Sequence, residues 1–231
     1  MRALVVGGTS NIGQAVVKDL LNNGYNVDFT YTNNDEKAHL LSKETNCSCY
    51  KVDIRKQDQV ESLFNKVVNL DLLVLVSGIF SLSYQQDLEL SEFTNLIDIN
   101  IKGTFLCAKH CVNSMRENSS IVTIASMNAF HPGFGQTAHY DASKGFVVSY
   151  TKSLAAELAP KKIRVNSIAP GLIESEYLHD KNNPVLDMFV ERAVLKKTVK
   201  VEDVSNTVLF LASNQAIDGT CIVVDCGYLI G

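Results

Sequence analysis

Seven short apolar runs recur along the chain, at residues 3–6, 27–31, up to 52–53, 72–76, 121–125, 163–168 and 222–224. Their apolar residues are successive rather than alternate, as a strand covered on both faces requires. Between them the periodicity predicts helices over 12–21, 36–44, 57–69, 90–117, 140–158 and 201–212. This strand–helix alternation predicts an α/β fold: a doubly wound parallel sheet of about seven strands with helices on both faces. A single domain over 1–231 accounts for the chain, which is long enough to bury a substantial core without disulfides or metals. Residues 174–200 break the rhythm. They are polar, include Pro184, and read as a lid segment with one or two short mobile helices.

Composition narrows the function classes. A formal charge of −4 supplies no general attraction for nucleic acid or acidic membranes. Lys161, Lys162 and Arg164 form the densest basic cluster, which reads as a solvated helix end. The apolar residues after Met1 and Arg2 stop at Gly7, too few for a secretory signal, and 72–76 is far short of a bilayer span. A cytoplasmic protein with no nucleic-acid or membrane partner is expected. The six cysteines, at 47, 49, 107, 111, 221 and 226, lack zinc-site spacing, so reduced thiols and no metal are expected.

The first strand runs into Val6-Gly7-Gly8-Thr9-Ser10-Asn11-Ile12-Gly13 and then a helix. In a parallel sheet this turn lies at the carboxyl end of the strand. The helix behind it aims unpaired N–H groups and a partial positive charge outward. Gly7 and Gly13 would let the backbone approach a pyrophosphate and the helix pack on the strand. Thr9, Ser10, Asn11 and Ile12 would face the phosphates. The same glycines also suit an ordinary strand–helix turn, but the place after the first strand favours a dinucleotide. Asp53 is either an acceptor for an adenine amino group or a turn or N-cap residue. The second strand ends in Tyr31-Thr32-Asn33-Asn34, with no carboxylate to bind a ribose 2′-hydroxyl and with Thr32 and Asn33 as candidate donors to a 2′-phosphate. NADP is therefore favoured over NAD.

Tyr140 and Lys144 are spaced to share one face of a helix. A free tyrosine titrates near ~10, and a neighbouring ammonium stabilises the phenolate, which suits the pair to proton transfer. A surface Tyr and Lys on an amphipathic helix is the other account. Ser126 closes the fifth strand and either orients a substrate oxygen near Tyr140 or satisfies local backbone groups. Asn100 interrupts a helical pattern in which Asn is a poor former, either as an inward amide holding a relay water or as an exposed residue.

Together these motifs resemble the short-chain dehydrogenases/reductases over essentially the whole chain, especially the 3-oxoacyl carrier-protein reductase and sugar or polyol dehydrogenase types. The TGxxxGxG turn corresponds to the segment from Val6 to Gly13, and the Asn-Ser-Tyr-Lys tetrad to Asn100, Ser126, Tyr140 and Lys144. The PG motif appears as Pro170-Gly171, and the closing VVDGG as Val223-Val224-Asp225-Cys226-Gly227. The resemblance implies a Rossmann-type sheet and hydride transfer between NAD(P)(H) and a carbonyl or secondary alcohol. In that scheme Tyr140 is the proton donor, Ser126 the orienting group, and Lys144 with Asn100 the relay. It assigns Ile54, Ser77, Gly78, Tyr140, Lys144, Pro170, Gly171, Ile173 and Ser175 to the cofactor as well. Departures are Val6 for the usual Thr, Asn11 for the middle glycine, Leu75-Val76-Ser77-Gly78 for NNAG, Cys226 for a glycine, and Lys196-Lys197-Thr198-Val199 for GRxG.

Substrate is expected at 131–136 and 174–200, with Phe130, Phe134, Tyr177 and Leu178 as an apolar wall. The resemblance also implies a homotetramer or homodimer formed through the 90–117 and 140–158 helices. The departures in the cofactor turn keep a second reading in view, a catalytically idle cofactor-binding regulator. A methyltransferase on the same sheet would leave Tyr140 and Lys144 without a role.

Overall fold

The computed structural model describes residues 1–133, 135–173 and 184–231. Seven strands, β1 (Arg2–Val6), β2 (Asn26–Tyr31), β3 (Ser48–Lys51), β4 (Leu70–Leu75), β5 (Met115–Ile124), β6 (Arg164–Pro170) and β7 (Cys221–Val224), form one parallel sheet in the order β3-β2-β1-β4-β5-β6-β7. Its helices are α1 (Asn11–Asn22), α2 (Asp35–Thr45), α3 (Gln57–Lys66), α4 (Leu90–Ile97), α5 (Thr104–Cys111), α6 (Ala138–Leu158), α7 (Pro184–Arg192) and α8 (Val201–Ser213). Alternate residues of β1 enter opposite cores. Ala3 and Val5 pack with Val16, Phe29 and Val208, whereas Leu4 and Val6 pack with Leu63, Leu73 and Leu158. Each face is apolar, which is why the strands read as unbroken apolar runs.

The strand order reverses between β1 and β4, and Val6 is in register with both Thr30 and Leu75. The residues that follow these three strands therefore meet on one rim, at the switch point where open α/β sheets bind ligands.

Several sequence expectations change. The helix expected over 57–69 stops at Lys66, and β4 begins at Leu70. The third strand ends at Lys51, just before Val52 and Asp53. The pattern over 90–117 is two α-helices joined by a π-helical turn at Asp98–Gly103, and 115–117 belong to β5. There Met115 pairs with Leu70 but Ser120 pairs with Leu72, so the intervening β5 residues loop out around Asn118, at φ +62°. Arg164 is not solvated. It is 7 % exposed in β6 and donates to the Leu211 and Ala212 carbonyls at the end of α8, groups that a helix C-terminus leaves unpaired.

Candidate active site

Two clefts of about 450 and 500 Å³ share Ser10, Val76, Gly78 and Ile79, and together they run along the carboxyl edge of the sheet. One is lined by Asn11, Ile12, Ser126, Tyr140, Lys144, Pro170, Gly171 and Ile173. The other is lined by Gly7, Thr9, Tyr31, Thr32, Asn33, Asp53, Ile54 and Ser77. Most of the candidate residues named from the sequence thus line one groove, whereas Asn100 is buried outside its lining. Gly13 lies beneath the groove, and Ser175, Phe134, Tyr177 and Leu178 lie outside the described residues.

The glycine turn is built for close approach. Gly7 sits at φ +90°, and a Cβ on Gly13 would stand 2.2 Å from the Gly7 carbonyl oxygen. Ser10 caps α1: its hydroxyl accepts from Gly13 N at 3.0 Å and donates to Gly7 O at 2.9 Å. The first-turn amides of Asn11 and Ile12, which have no intrahelical acceptor, belong to residues that line the cleft. Backbone donors at a helix start, beside glycines that hold side chains away, fit a pyrophosphate.

At the far end of the groove Asp53 meets a partner absent from the sequence reading. Arg55 grips its carboxylate through two nitrogens, at 2.9 and 2.7 Å, and reaches the Asn95 side chain at 2.8 Å. The guanidinium holds the Asp53 carboxyl below the usual carboxylate range. Asp53 also accepts from Arg55 N at 3.0 Å, so the turn role is realised at a position that also lines the groove. Thr32 spends its hydroxyl proton on the Val52 carbonyl at 3.0 Å, contrary to its expected use on a 2′-phosphate, which leaves the exposed Asn33 amide at that strand end.

In the cleft lined by Ser126 and Tyr140, Lys144 is 5 % exposed, not a surface residue, and donates to the Ile124 carbonyl at 2.9 Å. Burial brings its pKa down to about 8. Its ammonium stands 5.8 Å from the centre of the Tyr140 ring. The Ser126 hydroxyl beside the Tyr140 phenol lowers its pKa, but burial outweighs this and raises the phenol above its ordinary value. The expected depression of the phenol by Lys144 is therefore not what dominates: loss of water costs the phenolate more than its neighbours return. Ser126 Oγ accepts from Asn128 N at 3.2 Å, which is the local backbone role considered for it.

Asn100 is 1 % exposed inside the π-helical turn, a helix irregularity that places its amide inward. The amide is fully engaged. It accepts from Ile79 N at 2.8 Å and donates to Ile79 O and Ser143 Oγ, each at 3.0 Å. Its donors are thus spent on the protein rather than on a relay water. Asp141, also missed from the sequence, accepts from the Asn128 amide at 2.7 Å, Thr137 Oγ1 at 2.9 Å and Gly133 N at 3.0 Å. An acid in the first turn of a helix was the only available signal.

Among the described residues no helix is long and apolar enough to cross a bilayer, and no three metal-ligating side chains cluster. Burial raises the thiol pKa of both Cys107 and Cys111.

Comparison with known proteins gives the family. A family model described as enoyl-(acyl carrier protein) reductase matches residues 6–229. The 3-oxoacyl-[acyl-carrier-protein] reductase FabG of Staphylococcus epidermidis is 32 % identical over 238 residues, covering 97 % of each chain. A short-chain dehydrogenase/reductase from Serratia marcescens superposes with a TM-score of 0.93 at 28 % identity, covering 98 % of this chain and 97 % of its own. A short-chain dehydrogenase from Burkholderia cenocepacia in complex with NADP gives 0.93 at 26 % identity, covering 99 % and 97 %. The chain belongs to the short-chain dehydrogenase/reductase family and is an NAD(P)-dependent oxidoreductase.

Proposed function

We propose that the protein is an NADP(H)-preferring reductase of carbonyl compounds that works through Ser126, Tyr140 and Lys144, with Asn100 in support. The observation that carries this reading is the buried Lys144 ammonium 5.8 Å from the centre of the Tyr140 ring, with Ser126 lining the same cleft. Bound in the groove, the nicotinamide cofactor supplies the hydride. Gly7, Thr9, Ser10, Asn11, Ile12 and Gly13 hold its pyrophosphate end, and Tyr31, Thr32, Asn33, Asp53 and Ile54 its adenosine end. Ser77, Gly78, Lys144, Pro170, Gly171 and Ile173 would hold its nicotinamide end.

The Ser126 hydroxyl orients the substrate oxygen. Tyr140, protonated at neutral pH as any phenol is, donates its phenolic proton to that oxygen. Lys144 keeps the tyrosine charge-compensated as the proton leaves and, with a pKa near 8, can itself pass one on. Asn100 fixes Ile79 and Ser143 and so holds the wall opposite Tyr140. NADP preference is supported by the absence of a carboxylate at 31–34, and by solved relatives described as NADP or NADPH complexes.

The curated relatives named 3-oxoacyl-[acyl-carrier-protein] reductases make 3-oxoacyl thioesters a first substrate panel. A homodimer or homotetramer is supported by the exposure of Leu90 and Phe93 on α4 and Phe105 on α5. Six unpaired thiols support a reducing, cytoplasmic setting. The test is oxidation of NADPH against NADH with ketones, 3-oxoacyl thioesters and sugars, beside Tyr140→Phe. Turnover that favours NADPH and falls about 10²–10⁴-fold in the variant supports the reading. Equal turnover by the variant overturns it.

A further inference from the structure

Residues 79–84 form a strap between β4 and α4. Along it burial alternates strictly: Ile79, Ser81 and Ser83 are partly buried, and Phe80, Leu82 and Tyr84 are 53 %, 51 % and 56 % exposed. The inward residues are each tied down. The Ile79 backbone is held at both N and O by Asn100, Ser81 Oγ is hydrogen-bonded to His139 Nε2 at 2.8 Å, and Ser83 N donates to the Gln136 carbonyl at 3.0 Å. A segment anchored at every second residue presents the intervening side chains to one side in fixed register.

Phe80 is the member of that row that reaches the chemistry. Its ring meets Tyr140 edge to face, with centroids 4.9 Å apart and planes at 85°, and it lines the same cleft as Ser126, Met127 and Leu172. An aromatic ring locked against the proton donor, yet half exposed, is an unfilled apolar surface beside the substrate carbonyl. Rings prefer such offset and edge contacts with a further ring.

We infer that Phe80 is a specificity-determining residue that selects carbonyl compounds bearing an apolar substituent, an aryl group foremost, next to the carbonyl carbon. This rests on the carbonyl-reductase reading, and it adds a wall on the β4 side to the expected recognition by 131–136 and 174–200.

The experiment compares the wild type with Phe80→Ala and Phe80→Leu. Reduction of acetophenone and of acetone is followed with NADPH and NADH, and acetophenone binding to the cofactor-free protein is titrated by calorimetry. The ratio of kcat/KM for acetophenone to that for acetone is expected to fall about tenfold or more in Phe80→Ala, chiefly through KM, and less in Phe80→Leu. Acetophenone affinity falls in parallel. An unchanged ratio with unchanged binding overturns the inference, as does a wild type that does not bind acetophenone. A change in oligomer mass with binding intact also overturns it, because Phe80 would then belong to a contact between copies. If binding weakens in Phe80→Ala while no ketone is reduced by any form, the carbonyl-reductase reading fails and the apolar selectivity of Phe80 stands.

Discussion

Lys144 donates its ammonium proton to the carbonyl of Ile124, the last residue of β5, at 2.9 Å. The bond ties helix α6 to the centre of the sheet, and it holds a cation where water is scarce. Burial lowers the pKa of this lysine from 10.5 to about 8. An unfolded chain keeps the proton up to about 10.5, so between these two values the unfolded state binds more protons and stability rises with pH. Below about 8 both states are charged and the folded protein carries the full cost of the buried ammonium.

Lys144→Met is therefore expected to unfold at higher denaturant concentration than wild type at neutral pH, by about 1–3 kcal/mol once the lost Ile124 hydrogen bond is set against the gain. The difference shrinks toward pH 10.5. Carbonyl reduction is lost in the same variant, and in the wild type it declines as pH rises through about 8. Denaturant titrations across that range check the first claim, and initial rates check the second. A variant less stable than wild type at neutral pH and equally so at pH 10.5 would refute the account.

The Ser126 hydroxyl lowers the Tyr140 pKa, against burial and the Asp141 charge, which raise it. Ser126→Ala is expected to move the phenol titration upward and to slow reduction about 10²-fold, as removal of a preorganised donor does. Asp141→Asn is expected to move the same titration downward. Nuclear magnetic resonance of isotope-labelled tyrosine, with the Tyr140 signal assigned by its absence in Tyr140→Phe, reads both shifts. Shifts of the same sign would contradict this electrostatic picture.

Much of the site was legible because it is local in sequence or fixed by topology. The glycine turn announces its own backbone, and a parallel sheet forces strand ends onto one rim, so Gly7, Asp53, Ser126 and Tyr140 lie in two adjoining clefts along it. What escaped depends on tertiary pairing. Arg55 looks like any exposed arginine until Asn95, far along the chain, completes its clamp on Asp53. Arg164 reads as part of a basic cluster, yet its guanidinium is taken up by carbonyls of α8 that only the folded chain brings near. The break at Asp98–Gly103 kept a helical periodicity because a π-turn is still a helix, and only the poor helix propensity of Asn100 hinted at it. The direction of the Tyr140 shift was misread because charge proximity is visible in spacing and desolvation is not.

Asp141 closes a clasp beside the cleft that Asn128 and Tyr140 line. Its carboxylate takes protons from the Asn128 amide, the Thr137 hydroxyl and the Gly133 backbone, and so fixes both ends of the 128–137 segment to the first turn of α6. A Cβ on Gly133 would lie 2.4 Å from Asn128 Nδ2 and 2.5 Å from Thr137 Oγ1, so the clasp closes only around a glycine. Asp141→Ala leaves these donors without their acceptor and is expected to cost about 1–3 kcal/mol of stability. KM for the carbonyl substrate should rise more than kcat falls, because the loop that borders Ser126 loosens while Tyr140 and Lys144 keep their helix. Gly133→Ala is expected to raise KM in the same way without touching the charge beside Tyr140. A double-mutant cycle of Asp141→Ala with Asn128→Ala should show a coupling of about 1 kcal/mol, since the pair share one bond. Additive losses in that cycle, with KM unchanged in Gly133→Ala, would mean that the 128–137 segment is held by other contacts and that Asp141 acts on Tyr140 through its charge alone.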